Sequence, residues 1–125
     1  MKSGFLQFNQ SSIHYLRAGN GEKILICFHG YGESAAHFQF LANTLAQEFT
    51  CIALDLPFHG ETAWHSGTLD EGKLQSLIEQ MLLQEQLPQS RIHLLGFSIG
   101  GRLRFASSKK FQFVLKDWCY WRRMD

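Results

Sequence analysis

Leu94-Leu95-Gly96-Phe97-Ser98-Ile99-Gly100-Gly101 is the stretch that decides how this chain folds. A serine that leaves the end of an apolar strand, stands above the sheet and enters a helix at once sits on a very tight turn. Such a turn strains the serine backbone by about 1–3 kcal/mol. The positions two before and two after it must be nearly free of side chain, and Gly96 and Gly100 meet that need. Gly101 lets the following helix pack closely. The helix N-terminus then turns a backbone N–H, that of Ile99, towards a developing oxyanion. A plainer reading of the same residues is a strand-to-helix junction with Ser98 as the helix N-cap. An apolar strand before the serine and a helical pattern after it favour the nucleophile.

Working outward, Arg91-Ile92-His93-Leu94-Leu95 reads as a strand and residues 99–107 as a helix. Upstream, Thr68-Leu69-Asp70-Glu71 has capping-box spacing, with Thr68 at the cap and Glu71 three residues on. The helix it opens carries Leu74, Leu77, Ile78, Met81 and Leu82 on one face, and Pro88 marks its break. Thr50-Cys51-Ile52-Ala53-Leu54 is a second apolar strand, preceded over residues 34–49 by a helical stripe of Phe38, Leu41, Ala42 and Leu45. Lys23-Ile24-Leu25-Ile26-Cys27-Phe28 is an unbroken apolar run bounded by turns, the pattern of a parallel strand covered on both faces. Residues 4–18 form two shorter runs around Asn9-Gln10-Ser11-Ser12, an antiparallel hairpin at the sheet's edge. The expected fold is therefore α/β: an N-terminal antiparallel hairpin, then three parallel strands with right-handed crossover helices.

At 125 residues and 45% hydrophobic, the chain has room for one domain with a modest core. Its net charge of +1, with no basic stripe among aromatics in the first hundred residues, argues against nucleic acid as a partner. Met1-Lys2-Ser3-Gly4-Phe5-Leu6-Gln7 is too polar for a signal-peptide core, and no run approaches the ~18 apolar residues of a membrane span. Cys27 and Cys51 sit inside apolar runs, and no cysteine pair has metal-ligand spacing. The expectation is a soluble cytoplasmic protein with no metal and no cofactor; oligomeric state is not legible.

Two further segments carry chemistry. In Phe28-His29-Gly30-Tyr31-Gly32-Glu33-Ser34, Gly30 and Gly32 let the loop curl until an amide, that of Tyr31, faces the same point as the amide of Ile99. One such donor stabilises a transition state by about 3 kcal/mol. The alternative is a glycine-rich turn that merely opens a helix. In Leu54-Asp55-Leu56-Pro57-Phe58-His59-Gly60-Glu61-Thr62, Asp55 and His59 invite completion of a triad. The better reading has Asp55 fixing its own turn.

Together these segments resemble the α/β-hydrolase superfamily, in its serine-nucleophile, esterase-like branch. There an HG-x-G-like loop follows strand three, D-x-P-G-H-G-x-[ST] follows strand four, and a G-x-S-x-G elbow follows strand five. This chain departs once, with Phe58 where the family usually has Gly. The resemblance covers about residues 5–117. It implies a serine hydrolase in which Ser98 attacks a small ester-like substrate and the Tyr31 and Ile99 amides form the oxyanion hole. Asp55 and His59 would be landmarks, not triad members.

The family's order runs Ser, acid, His. All six histidines (14, 29, 37, 59, 65 and 93) precede Ser98, and residues 99–125 contain only Asp117 and Asp125 as acids. The last quarter also changes character: seven of twelve Lys and Arg and two of three Trp follow Gly101. Back-translating Trp118-Cys119-Tyr120-Trp121 and reading from the last base of the Asp117 codon gives Leu-Val-Leu-Leu without ambiguity. That is the buried strand the resemblance calls for after Val114-Leu115-Lys116-Asp117. Residues 1–117 are thus expected to be the N-terminal part of one hydrolase domain, and 118–125 an aberrant, frameshifted tail. The alternative is a genuine basic-aromatic tail. On the first reading the strand at 91–95 loses a neighbour, and an exposed edge of that kind invites aggregation.

Overall fold

The computed structural model describes residues 1–88, 92–97, 111–113 and 118–123. Strands β1 (Lys2–Phe8) and β2 (Ser11–Ala18) form the expected hairpin, with Asn9 at φ +53 in its turn. Asparagine tolerates that left-handed conformation because its short side chain can bond locally. Strands β3 (Lys23–Phe28), β4 (Phe49–Leu54) and β5 (Ile92–Phe97) are parallel, in the spatial order β4-β3-β5. With β6 (Phe111–Phe113) and β7 (Trp118–Arg123) the sheet runs β1-β2-β4-β3-β5-β7-β6.

The unbroken apolar runs are explained by cover on both faces. Ile24, Ile26, Phe28, Ile52, Leu54 and Leu94 point to one side. There they meet helix α2 (Glu71–Gln84) through Leu74, Leu77, Ile78, Met81 and Leu82, all buried. Leu25, Cys27, Cys51 and Ala53 point to the other side, against Ala35, Phe38, Leu41 and Leu45. At about 25 cal/mol per Å² of apolar surface removed from water, these two layers are the main source of stability.

Both helices differ from their sequence expectations. The stretch expected to be helical over 34–49 is a 3-10 turn (Ala35–Phe38) and a short helix α1 (Gln39–Leu45). It ends early because the chain must reverse into β4: the Leu45 and Ala46 carbonyls accept from the amides of Glu48 and Asn20. Asn43 and Thr44 are also weak helix formers. Helix α2 is capped by Asp70, not Thr68; the Asp70 carboxylate accepts from the Lys73 amide at 2.8 Å. The Thr68 carbonyl is occupied instead by the Asp70 amide and the Lys73 ammonium. At the far end Gln86 takes φ +56 and the Leu87 amide donates to the Leu82 carbonyl, a Schellman closure just before Pro88.

Strand β5 is not left with an open edge, contrary to expectation. Strand β7 pairs with it antiparallel, from His93↔Arg122 to Phe97↔Trp118. A Trp-Cys-Tyr-Trp sequence is rich in strand-forming aromatics, and β5 has backbone groups that need partners. The helix expected over 99–107 lies outside the described residues.

Candidate active site

The loop after β3 is held from within and from across. His29 is wholly buried; its Nδ1–H donates to the Gly30 carbonyl at 2.7 Å, and its Nε2 accepts from the Leu56 amide at 2.9 Å. Burial above all lowers its pKa from the ordinary histidine value. Gly32, at φ +75 and with open space where a Cβ would stand, turns its N–H to His59 Nε2 at 3.1 Å. Tyr31 projects its ring into solvent, 78% exposed, and among the described residues nothing accepts from its N–H.

The loop after β4 is organised by one carboxylate. Asp55 is buried; its Oδ1 accepts from the Ala35 amide at 2.7 Å, and its Oδ2 accepts from the Glu61 amide at 2.9 Å and from His14 Nδ1–H at 2.7 Å. Burial alone would push this carboxyl up, but the two amides and His14 together hold it below its ordinary value. Gly60 sits at φ +53, and a Cβ there would stand 2.0 Å from Asp55 Oδ2, so only glycine fits. Thr62 closes the circuit, donating to the Asp55 carbonyl and accepting from the His14 amide. Asp55 therefore fixes its own turn.

Phe58 occupies the left-handed region at φ +66 with its ring 82% exposed. That geometry explains the glycine usual at this position in the family. The chain keeps the loop conformation and carries the strain of a bulky residue in it.

Parallel pairing brings the two flagged strand ends side by side. Strand β3 runs beside β5 from Ile24↔Ile92 to Phe28↔Gly96, so His29-Gly30-Tyr31-Gly32 leaves the sheet next to Gly96. Ser98, Ile99, Gly100 and Gly101 follow in the chain and lie outside the described residues. In open α/β sheets the carboxyl ends of adjacent parallel strands are where ligands bind.

Neither loop histidine is free to act as a base. The Nε2 lone pairs of His29 and His59 are committed to the Leu56 and Gly32 amides, while His59 Nδ1–H donates to the Pro57 carbonyl at 2.9 Å. Burial pushes the Cys27 thiol well up and that of Cys51 to about 11, so neither is a thiolate nucleophile at neutral pH. Among the described residues no group of three metal-ligating side chains converges, and no helix is long and apolar enough to cross a membrane. A hollow of about 790 Å³ lies elsewhere, beside Lys2, Tyr15, Arg17 and Glu85, and contains none of the residues flagged from sequence.

Residues 23–111 match the alpha/beta hydrolase fold family, and the chain belongs to it. It is 40% identical over 84 residues to the dihydrolipoyllysine-residue acetyltransferase component of the acetoin cleaving system of Pseudomonas putida, a match covering 66% of this chain and 22% of that one. It is 34% identical over 90 residues to the pimeloyl-[acyl-carrier protein] methyl ester esterase of Aeromonas salmonicida, covering 72% and 33%. Among solved structures, the thioesterase domain from the curacin biosynthetic pathway superposes with a TM-score of 0.67 at 26% identity, covering 82% of this chain and 37% of that one. The matched region thus spans between a fifth and two fifths of each of these relatives.

Proposed function

We propose that this chain carries the nucleophile side of a serine acyl hydrolase acting on small carboxylic esters or similar acyl bonds. The observation that carries the reading is the Phe28↔Gly96 pairing, which sets the oxyanion-type loop beside the strand that leads into Ser98. Ser98 Oγ attacks the acyl carbon, and the carbonyl oxygen gains charge facing the Tyr31 and Ile99 amides. Tyr31 is the donor of choice in its loop because the Gly32 N–H is already given to His59. Esterase and thioesterase names among the relatives agree with acyl chemistry. Gly30, Gly32, Gly96, Gly100 and Gly101 are assigned to loop and elbow geometry, not to contact with substrate.

A second reading is favoured by the sequence after the elbow. No histidine stands among residues 99–125, and a serine hydroxyl without a base is a weak nucleophile at pH 7. On this reading the 125 residues by themselves are an inactive fragment or a non-catalytic interaction module. Incubation with p-nitrophenyl acetate separates the two. Nitrophenolate release that Ser98→Ala abolishes supports the hydrolase; no release, or release indifferent to Ser98, supports the module.

A further inference from the structure

The described residues hold a serine–histidine–carboxylate array far from the elbow. On the hairpin, Ser3 of β1 and His14 of β2 are diagonal neighbours on one face, since Phe5 pairs with His14 and Ser3 with Leu16. Ser3 Oγ lies 2.6 Å from His14 Nε2, and His14 Nδ1 lies 2.7 Å from Asp55 Oδ2. An ionised carboxylate only accepts, so Nδ1 carries the proton towards Asp55, and in the neutral ring Nε2 is left to accept from the Ser3 hydroxyl. His14 and Asp55 are 6% and 3% exposed, while Ser3 is open to solvent. The buried members are fixed: Asp55 by the Ala35 and Glu61 amides, and the His14 ring by the Phe5 ring at 5.0 Å.

We propose that Ser3 is a second acyl-accepting serine, with His14 as its base and Asp55 orienting the imidazole. The substrates it suits are activated acyl esters, because its exposed hydroxyl meets them from solvent. In the step, the Ser3 Oγ–acyl carbon bond forms and the carbon–leaving-group oxygen bond breaks. The serine proton passes to His14 Nε2 and leaves with the departing alkoxide. With no oxyanion donor assigned to Ser3, the expected reaction is slow, stoichiometric acylation. One group competes for the base: Glu61 Oε2 stands 3.1 Å from the same His14 Nε2. Its carboxylate is 69% exposed, so solvent screens the pair.

A fluorophosphonate probe tests this in a Ser98→Ala background, where labelling does not depend on the elbow. There Ser3 attacks phosphorus and fluoride leaves. Trypsin separates residues 3–17 from 92–102, so mass spectrometry assigns the label to one serine or the other. The expected result is label on 3–17 that Ser3→Ala removes and that forms on the order of 100-fold more slowly in His14→Gln. Glu61→Gln, at an exposed carboxylate, keeps the fold and is expected to speed labelling by removing the carboxylate that competes with Ser3 for Nε2. Absence of label on 3–17 in the folded chain, a rate indifferent to His14, or slower labelling in Glu61→Gln would each overturn the assignment. Failure at Ser3 leaves the Ser98 reading untouched, and the reverse holds too.

Discussion

The loops that follow β3 and β4 are built alike at their histidines and unlike in everything else. In each, an Nδ1–H is given to a nearby carbonyl and an Nε2 accepts an amide from the other loop: His29 from Leu56, His59 from Gly32. The loop after β4 also has a buried carboxylate accepting three hydrogen bonds that reach β2, the 3-10 turn and its own end. The loop after β3 has no such centre and leans on its neighbour. The segment closest to the proposed Ser98 chemistry is therefore positioned by a segment that takes no part in it. This accounts for an Asp and a His in a stretch that gives the elbow serine neither its base nor its acid.

Removing the centre is the most severe way to break that relation. Asp55→Ala strands the His14 Nδ1–H and two amides in a buried site, and leaving such groups unpaired is expected to cost about 3 kcal/mol or more. Urea denaturation followed by circular dichroism measures it; a loss below about 1 kcal/mol would show that the loop after β3 stands alone. Acid is gentler and resolves the two loops in turn. The His29 pKa is lowered on folding, so above about pH 6.5 it adds nothing, and below it the unfolded chain takes the proton first and stability falls. Asp55, also lowered, contributes stability above about pH 3.9 that is lost as pH falls through its folded value. Urea midpoints are expected to drop in two stages, the first ascribed to the bond joining the loops; a profile flat down to pH 5 would remove His29 from the account. Phe58→Gly is the smallest change and sharpens the contrast. Relief of the left-handed strain, about 1–2 kcal/mol, exceeds the flexibility glycine adds to the unfolded chain, leaving about 0.5 kcal/mol of gain. A fall in the thermal midpoint would mean the exposed ring makes contacts that matter.

What sequence could reveal here was set by the range of the forces involved. The faces of β3, β4 and α2 were legible because burial repeats along the chain, and Leu74 to Leu82 needed only a helical period. Glycine placement and strand order carried the family resemblance. The choice of Asp70 over Thr68 was not legible, since both are good caps and the Thr68 carbonyl is claimed by Lys73 only once the loop has folded. Nor was the His14–Asp55 contact, 41 residues apart in sequence, although a histidine at an inward strand position is a polar group that must find a partner. The partner of β5 escaped for the same reason: nothing local in Trp118–Arg123 states which edge it will meet or in which direction.

The direction of β7 has a consequence for anything joined to this protein. Because it descends beside β5, the backbone at Arg122 arrives level with His93, at the amino end of the parallel strands. Four steps of about 3.3 Å, from His93 to Phe97, separate that point from the rim where the loops after β3 and β4 emerge, roughly 13 Å. A label attached at Arg122 would therefore sit at the floor of the sheet, out of the way of a ligand arriving at the roof.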